Sequence, residues 1–313
     1  MIRVRPVVVG VVIAVLVSLL GGCSLFEDDP QTQLDKIIAK TGNDIVGMKV
    51  VVKTDEQNPT VSIFWVDAGK VMSAWLKDGK VIVEDSRYPS FATTGPTSVD
   101  NFSLDSYVSI ANGAFNPDGC YSAIVTSMVT PTGAIGAQVE CLGREKKVID
   151  EQSMLDGELF YVPRVDPQVA ADLDVLKQAY VTVMGTSKVH RFSYYFNQAL
   201  LSLDGPVATN VLGESCVPSM TALLSSSSTP FPVSCDTKAT VGSNPFDVNE
   251  FSSTSVAEVV ASVENSQVLD YQSLASITFF HQGEDLCWEV TTTSIGDLSA
   301  HRDQLKGCIT KGA

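Results

Sequence analysis

Histidine is nearly missing from the chain. In 313 residues it occurs at His190, His281 and His301 alone, so a site built on imidazole has few possible members. Charge is sparse too: 18% of residues are Asp, Glu, Lys or Arg, below the quarter usual in globular proteins. Cations are the scarcer sign, with Lys+Arg 21 against Asp+Glu 36 and a formal net charge of −15. A surface this acidic does not suit nucleic acid or anionic lipid, and binding to either through a basic patch is disfavoured. Catalytic signatures are also lacking. There is no G-x-S-x-G, no H-E-x-x-H, no G-x-x-x-x-G-K-[ST], no G-x-G-x-x-G after a strand and no EF-hand loop. No C-x-x-C occurs, which removes the usual thioredoxin motif and the common zinc-ribbon spacing. The expectation is a protein with no catalytic residue, no metal and no cofactor. The segment His281-Gln282-Gly283-Glu284-Asp285 offers an imidazole and carboxylates, with His301 as a further ligand, but a polar hairpin tip fits its spacing better.

What the chain does have is apolar residues, 44% of the total, and a length that predicts two domains. Its most informative stretch is the first. Arg3 and Arg5 precede an uncharged run from Val7 to Leu20, and Leu20-Gly21-Gly22-Cys23 closes it with small residues before a cysteine. As a helix that run spans about 21 Å, short of a hydrocarbon core about 30 Å thick, so a secretory signal suits it better than a permanent span. Leu20-Gly21-Gly22-Cys23 resembles the lipobox of bacterial lipoproteins. The resemblance covers this segment alone. It implies a diacylglyceryl group on the Cys23 sulfur, cleavage that leaves Cys23 at the mature N-terminus, and residence at the extracytoplasmic face of a membrane. Two acyl chains hold a protein stably where one does not. Cleavage after residue 22 would remove Arg3 and Arg5, leaving 19 basic residues against 36 acidic ones and a net charge of −17. Anionic lipid repels such a body, so the anchor would be covalent rather than electrostatic.

The expected organisation is a signal peptide over 1–22, an acidic tether over 23–33 with Glu27, Asp28 and Asp29, a first domain over 34–165 and a second over 166–313. Six cysteines remain after Cys23, an even number that suits disulfides in an exported protein. Six allow 15 pairings, of which neighbours in sequence are favoured: Cys120 with Cys141, Cys216 with Cys235 and Cys287 with Cys308. The first pair has a geometric reason. Tyr121 to Val129 and Ala134 to Glu140 read as two strands about Thr130-Pro131-Thr132-Gly133, and folding that hairpin brings both cysteines to its open end.

The fold class expected is α+β, as two tandem units, each a mainly antiparallel meander sheet with packed helices. In the first, a helix over Gln31 to Lys40 leads to strands at Met48 to Thr54, Thr60 to Val66, Lys70 to Leu76 and Lys80 to Glu84. Asp78-Gly79 is the clearest turn among them, because a two-residue turn needs positive φ. Ser103 is placed to cap a helix over Leu104 to Asn112. In the second, Asp166 and Pro167 open a helix to about Met184, followed by strands at Val189 to Phe196, Ala199 to Leu203 and Val207 to Leu212. A serine-rich loop at Ser225 to Ser228, a helix over Ser255 to Val263, a hairpin over Leu274 to His281 and Leu286 to Thr293, and a closing helix over Leu298 to Leu305 complete it. Helix, meander, helix and hairpin thus recur in order. The cysteines do not confirm a duplication, because the offset that superposes Cys120 on Cys287 puts a strand beside a helix farther on.

One strand carries a candidate binding face. A period of two puts His190, Phe192, Tyr194 and Phe196 on one side and Arg191, Ser193 and Tyr195 on the other. The aromatic side packs on a helix such as the one with Leu173 and Tyr180, or it lines a pocket. Three functions remain open: a non-catalytic envelope lipoprotein that binds a protein partner or ligand; a carrier of lipid or another hydrophobic ligand, similar in architecture to mycobacterial-type lipoproteins; and an envelope hydrolase with an unfamiliar site.

Overall fold

The computed structural model describes residues 28–54, 56, 58–86, 95–116, 119–143, 148–160, 165–223, 233–239, 244–265, 274–292 and 305–309. The signal segment, Cys23, the start of the tether, Ser225 to Ser228, His301 and most of the expected closing helix lie outside these residues.

The first half begins with α1 (Pro30–Thr41), inside the segment read as tether. Asp29 Oδ1 accepts the backbone N–H groups of Gln31 (3.1 Å) and Thr32 (3.0 Å), Pro30 supplies a preset first turn, and Gly42 at φ +91 ends the helix. There follow β1 (Asp44–Ile45), β2 (Gly47–Lys53), β3 (Thr60–Asp67), β4 (Lys70–Lys77), β5 (Lys80–Asp85), β6 (Thr97–Ser98), α2 (Leu104–Ala114), β7 (Ser122–Val129), β8 (Ile135–Leu142), β9 (Val148–Leu155) and β10 (Glu158–Leu159). The second half runs α3 (Ala170–Met184), β11 (Lys188–Val189), β12 (Arg191–Tyr195), β13 (Leu200–Asp204), β14 (Ala208–Thr209), β15 (Ser215–Leu223), β16 (Val233–Asp236), β17 (Phe246–Asp247), α4 (Ser253–Glu264), β18 (Leu274–Gln282), β19 (Asp285–Thr292) and β20 (Lys306–Ile309).

The expected α+β class is overturned. Two eight-stranded antiparallel sheets dominate, against four α-helices among the described residues, and the architecture is mainly β. Strands β9, β15, β16 and β20 supply the difference. Pro218 and two serines lie within β15, so its sequence does not read as a strand, while β16 and β20 are four residues each. Nor is either sheet a simple meander: β2 pairs with β7 in one and β12 with β18 in the other, joining an N-terminal run of strands to a C-terminal one. Three local expectations also change. Ser103 makes no side-chain cap bond, and α2 continues through Gly113 to Ala114. Asp166 closes a turn onto Gln168 N (2.9 Å), so α3 starts at Ala170 rather than Pro167. Of Val207 to Leu212 only Ala208 and Thr209 are strand, and this β14 pairs with β15, not with β13.

The two halves repeat one topology. The first sheet contains the order β9-β8-β7-β2-β3-β4-β5 and the second β20-β19-β18-β12-β13-β15-β16, and the small pairs β1–β6 and β11–β17 match as well. Hydrogen bonds outside the ladders also recur: Val46 N donates to Phe64 O and His190 N to Asp204 O, both at 2.7 Å, while Val99 N reaches Asn43 O (2.8 Å) and Val248 N reaches Ser187 O (2.7 Å). Sequence traces survive where the 3-10 turns meet α2 and α4, as Val99-Asp100-Asn101-Phe102-Ser103 and Val248-Asn249-Glu250-Phe251-Ser252.

Each sheet buries one face under its helices. Met48, Val50, Ile63 and Val125 meet Leu34 and Ile37 of α1 and Tyr107 and Ala111 of α2; Phe192, Tyr194, Leu203 and Phe279 meet Leu176 and Tyr180 of α3 and Val256 and Val260 of α4. A buried aliphatic or aromatic side chain of this size is worth roughly 1.5–3 kcal/mol, so these faces hold the fold. The halves also touch. Val211 and Leu212, with Val66, pack on Val46, Phe64 and Val71, and Leu155 and Phe160 reach the second core.

Candidate functional site

The aromatic strand face is not an open surface. His190, Phe192, Tyr194 and Phe196 are 8%, 2%, 4% and 4% exposed. Phe192 lies 5.6 Å from the ring of Phe279 and 6.4 Å from that of Phe251, and Tyr194 lies 4.6 Å from Phe196. The face is core because α3 and α4 cover it. Lys177 of α3 strengthens that cover: its Nζ donates to Phe251 O (2.9 Å) and sits 4.1 Å from the centre of the Phe251 ring. Burial pushes this ammonium below the usual lysine range, with Asp174 opposing.

His281 lies in β18 opposite Leu286, one residue before the closing pair Gln282–Asp285 of the hairpin, whose turn includes Gly283 at φ +68; its ring lies 5.7 Å from Phe246. Among the described residues no three His, Cys, Asp or Glu side chains converge as a metal site. Three disulfides join Cys120 to Cys141, Cys216 to Cys235 and Cys287 to Cys308, with Cα separations of 5.3, 5.4 and 3.9 Å. Cys287 and Cys308 face each other directly across β19 and β20, whereas Cys120 precedes β7 and Cys141 lies within β8.

Chemistry concentrates on the other side of the second sheet. Arg191 and Tyr195 of β12, Ser202 and Asp204 of β13, Ser219 of β15 and Asp236 of β16 share one cleft of about 360 Å³, which Gln198 also lines. Arg191 is ion-paired to Asp204 through Nε, and Ser202 Oγ donates to Asp204 Oδ1 (2.9 Å). The Asp204 side chain is 8% exposed and that of Arg191 39%, so the acid lies at the base and the guanidinium reaches outward. Burial alone would make Arg191 less basic. The Asp204 carboxylate beside it, with the hydrogen bond between them, reverses that and holds Arg191 above the usual arginine range. Ser219 and Ser234 hydroxyls are 2.8 Å apart, and Asp236 Oδ1 accepts the N–H of Lys238 (2.8 Å).

A second cleft of about 450 Å³ lies over Phe280, Trp288, Lys306 and the Cys287–Cys308 bridge. On the first sheet the corresponding outer face carries Lys49, in register with Ser62 and Thr126, whose ammonium burial pushes down while Glu140 opposes.

The same alternation that made Phe192 and Tyr194 conspicuous also put Arg191 and Tyr195 together; what it does not reveal is Asp204 opposite Arg191, because register between strands is not written in either strand alone. No protein-family profile matches the chain. No curated protein matches it either. Among solved structures, the PCNA2–PCNA3 complex from Sulfolobus tokodaii matches at 8% identity over 83% of this chain and 91% of that one, with a TM-score of 0.15, a likeness too slight to support any conclusion.

Proposed function

We propose that the chain is a non-catalytic lipoprotein that binds a protein partner or ligand at the extracytoplasmic face of a membrane. Leu20-Gly21-Gly22-Cys23, behind a basic start and an uncharged run, carries this reading. Three disulfides support an exported protein, since thiols stay reduced in the cytosol. Binding at the surface is supported over carriage of an acyl chain inside: helices fill the aromatic face that would have lined an apolar groove, whereas the opposite face presents a polar cleft. The test is to express the full chain and its Cys23→Ala variant in cells fed an alkyne-bearing fatty acid. Label on the first and not the second, with cross-linked material on the first, is the expected result. Equal labelling, or full-length protein starting at Met1 in the cytoplasm, overturns the proposal.

A further inference from the structure

The two halves put different chemistry at one place in a repeated fold. Gly47 pairs with Phe64 where Arg191 pairs with Asp204. In the first half that place is apolar and covered, by Val211 and Leu212. In the second it opens into the cleft above β12, β13, β15 and β16. We infer that this cleft binds a neutral saccharide, an assignment that rests on reading the chain as a binding protein and names the class of its ligand.

Charge and hydrogen-bonding groups together point to the class. An anion drawn to Arg191 would meet Asp204 and Asp236, and a cation drawn to those acids would meet Arg191. Asp204 and Arg191 already neutralise each other at the base. Asp236 leaves a single net negative charge, which disfavours an anion, and it is the close spacing of donors and acceptors on the walls, rather than that one charge, that suits a neutral polyol. Arg191, which lines the cleft, is bonded to Asp204 through Nε, and its Nη groups are further donors. Asp236 uses Oδ1 on Lys238 N and keeps Oδ2 as an acceptor. The Ser219–Ser234 hydroxyl pair serves as either. Tyr195 adds an aromatic ring of the kind that stacks on the C–H face of a sugar. A volume near 360 Å³ lies at the small end of ligand pockets, suited to one or two sugar rings rather than a long chain.

Saturation-transfer NMR on the full chain, held in a detergent without a sugar headgroup, tests this with maltose, mannobiose, lactose and trehalose as probes and inorganic phosphate and free arginine as charged controls. At least one disaccharide should saturate with a Kd in the millimolar range or tighter. Asp236→Asn should weaken it at least tenfold and Gln198→Ala at least threefold; both positions are exposed, and unchanged Tm certifies the fold. Silence from every disaccharide, tighter binding of phosphate or arginine, or affinity indifferent to both substitutions overturns the assignment. If cross-linking still captures a partner while all four sugars fail, the saccharide is wrong and the binding function stands.

Discussion

The first half places Gly47 beside Phe64; the second places Arg191 beside Asp204. Strand order, ladder register and the turn bonds around them match, so the fold did not force either choice. The difference lies in what covers the spot. Phe64 is buried under Val211 and Leu212, a turn that the second half extends toward the first, and a hydrophobic seam is the result. Nothing comparable is required over Arg191, which can stay polar. A repeated scaffold can thus spend one copy of a surface on holding its halves together and leave the other for a ligand. Gly47 fits the first use well, since a Cβ there would come within 2.7 Å of Ser127 O.

The largest test breaks the two cores separately. Phe192→Ala should cost about 3–5 kcal/mol and Met48→Ala, at the matching position of the first sheet, about 2–5 kcal/mol. Denaturant unfolding followed by tryptophan fluorescence reads both. If the seam couples the halves, each variant shifts a single transition; if it does not, each moves one of two.

Next is the edge that the halves do not share. Strand β9 is eight residues long, and β20, its counterpart, is four and carries the Cys287–Cys308 bridge. Replacing both cysteines by serine should cost about 3 kcal/mol, as expected for closing a loop of this length. Amide exchange should then show Lys306 to Ile309 opening before the rest of the second sheet, and no such early opening in β9.

A double-mutant cycle sharpens the polar contrast. Asp204→Leu leaves Arg191 without its partner and should cost about 2 kcal/mol, the half-exposed guanidinium keeping the figure below that of a fully buried pair. Arg191→Leu with Asp204→Leu, which moves the site toward the apolar character of Gly47 and Phe64, should cost less than the single change. Urea midpoints measure both.

Which parts of this were open to sequence reading follows from the range of the interactions. Asp78 at φ +50 and Gly79 at φ +69 make the tight turn that their residue types favour, and β2 to β5 fall close to where alternation puts them. Such signals are local. Strand β15 is held by its neighbours on both sides despite Pro218, and the mainly β character was hidden with it. The repeated topology has a counterpart in sequence in Val-x-x-Phe-Ser, at Val99 to Ser103 and Val248 to Ser252, while the cysteines pointed elsewhere because Cys287 lies in the strand that matches β8 and not β7. The aromatic face was visible as a pattern, but whether helices cover it is a tertiary fact.

The smallest effect expected is electrostatic. Lys177 is buried on α3, and burial lowers its pKa below the ordinary 10.5. In the window between that lowered value and 10.5 the unfolded chain binds more protons than the folded one, so stability rises with pH. Lys49 contributes in the same sense. Lys177→Met should flatten part of that rise on the acid side of pH 10.0, short of the range in which the buried tyrosines Tyr107 and Tyr180, both raised above 10.0, act in the opposite direction. Thermal unfolding at stepped pH gives the slope.

Hydroxyl-radical footprinting read by mass spectrometry tests the central contrast most directly, because it asks which copy of the repeated surface meets water. Tyr195 should be modified readily in the native chain and Phe64 protected, and Leu212→Asp should expose Phe64 without altering Tyr195. Rapid modification of Phe64 in the native chain, or protection of Tyr195 equal to that of Phe192, would contradict the account.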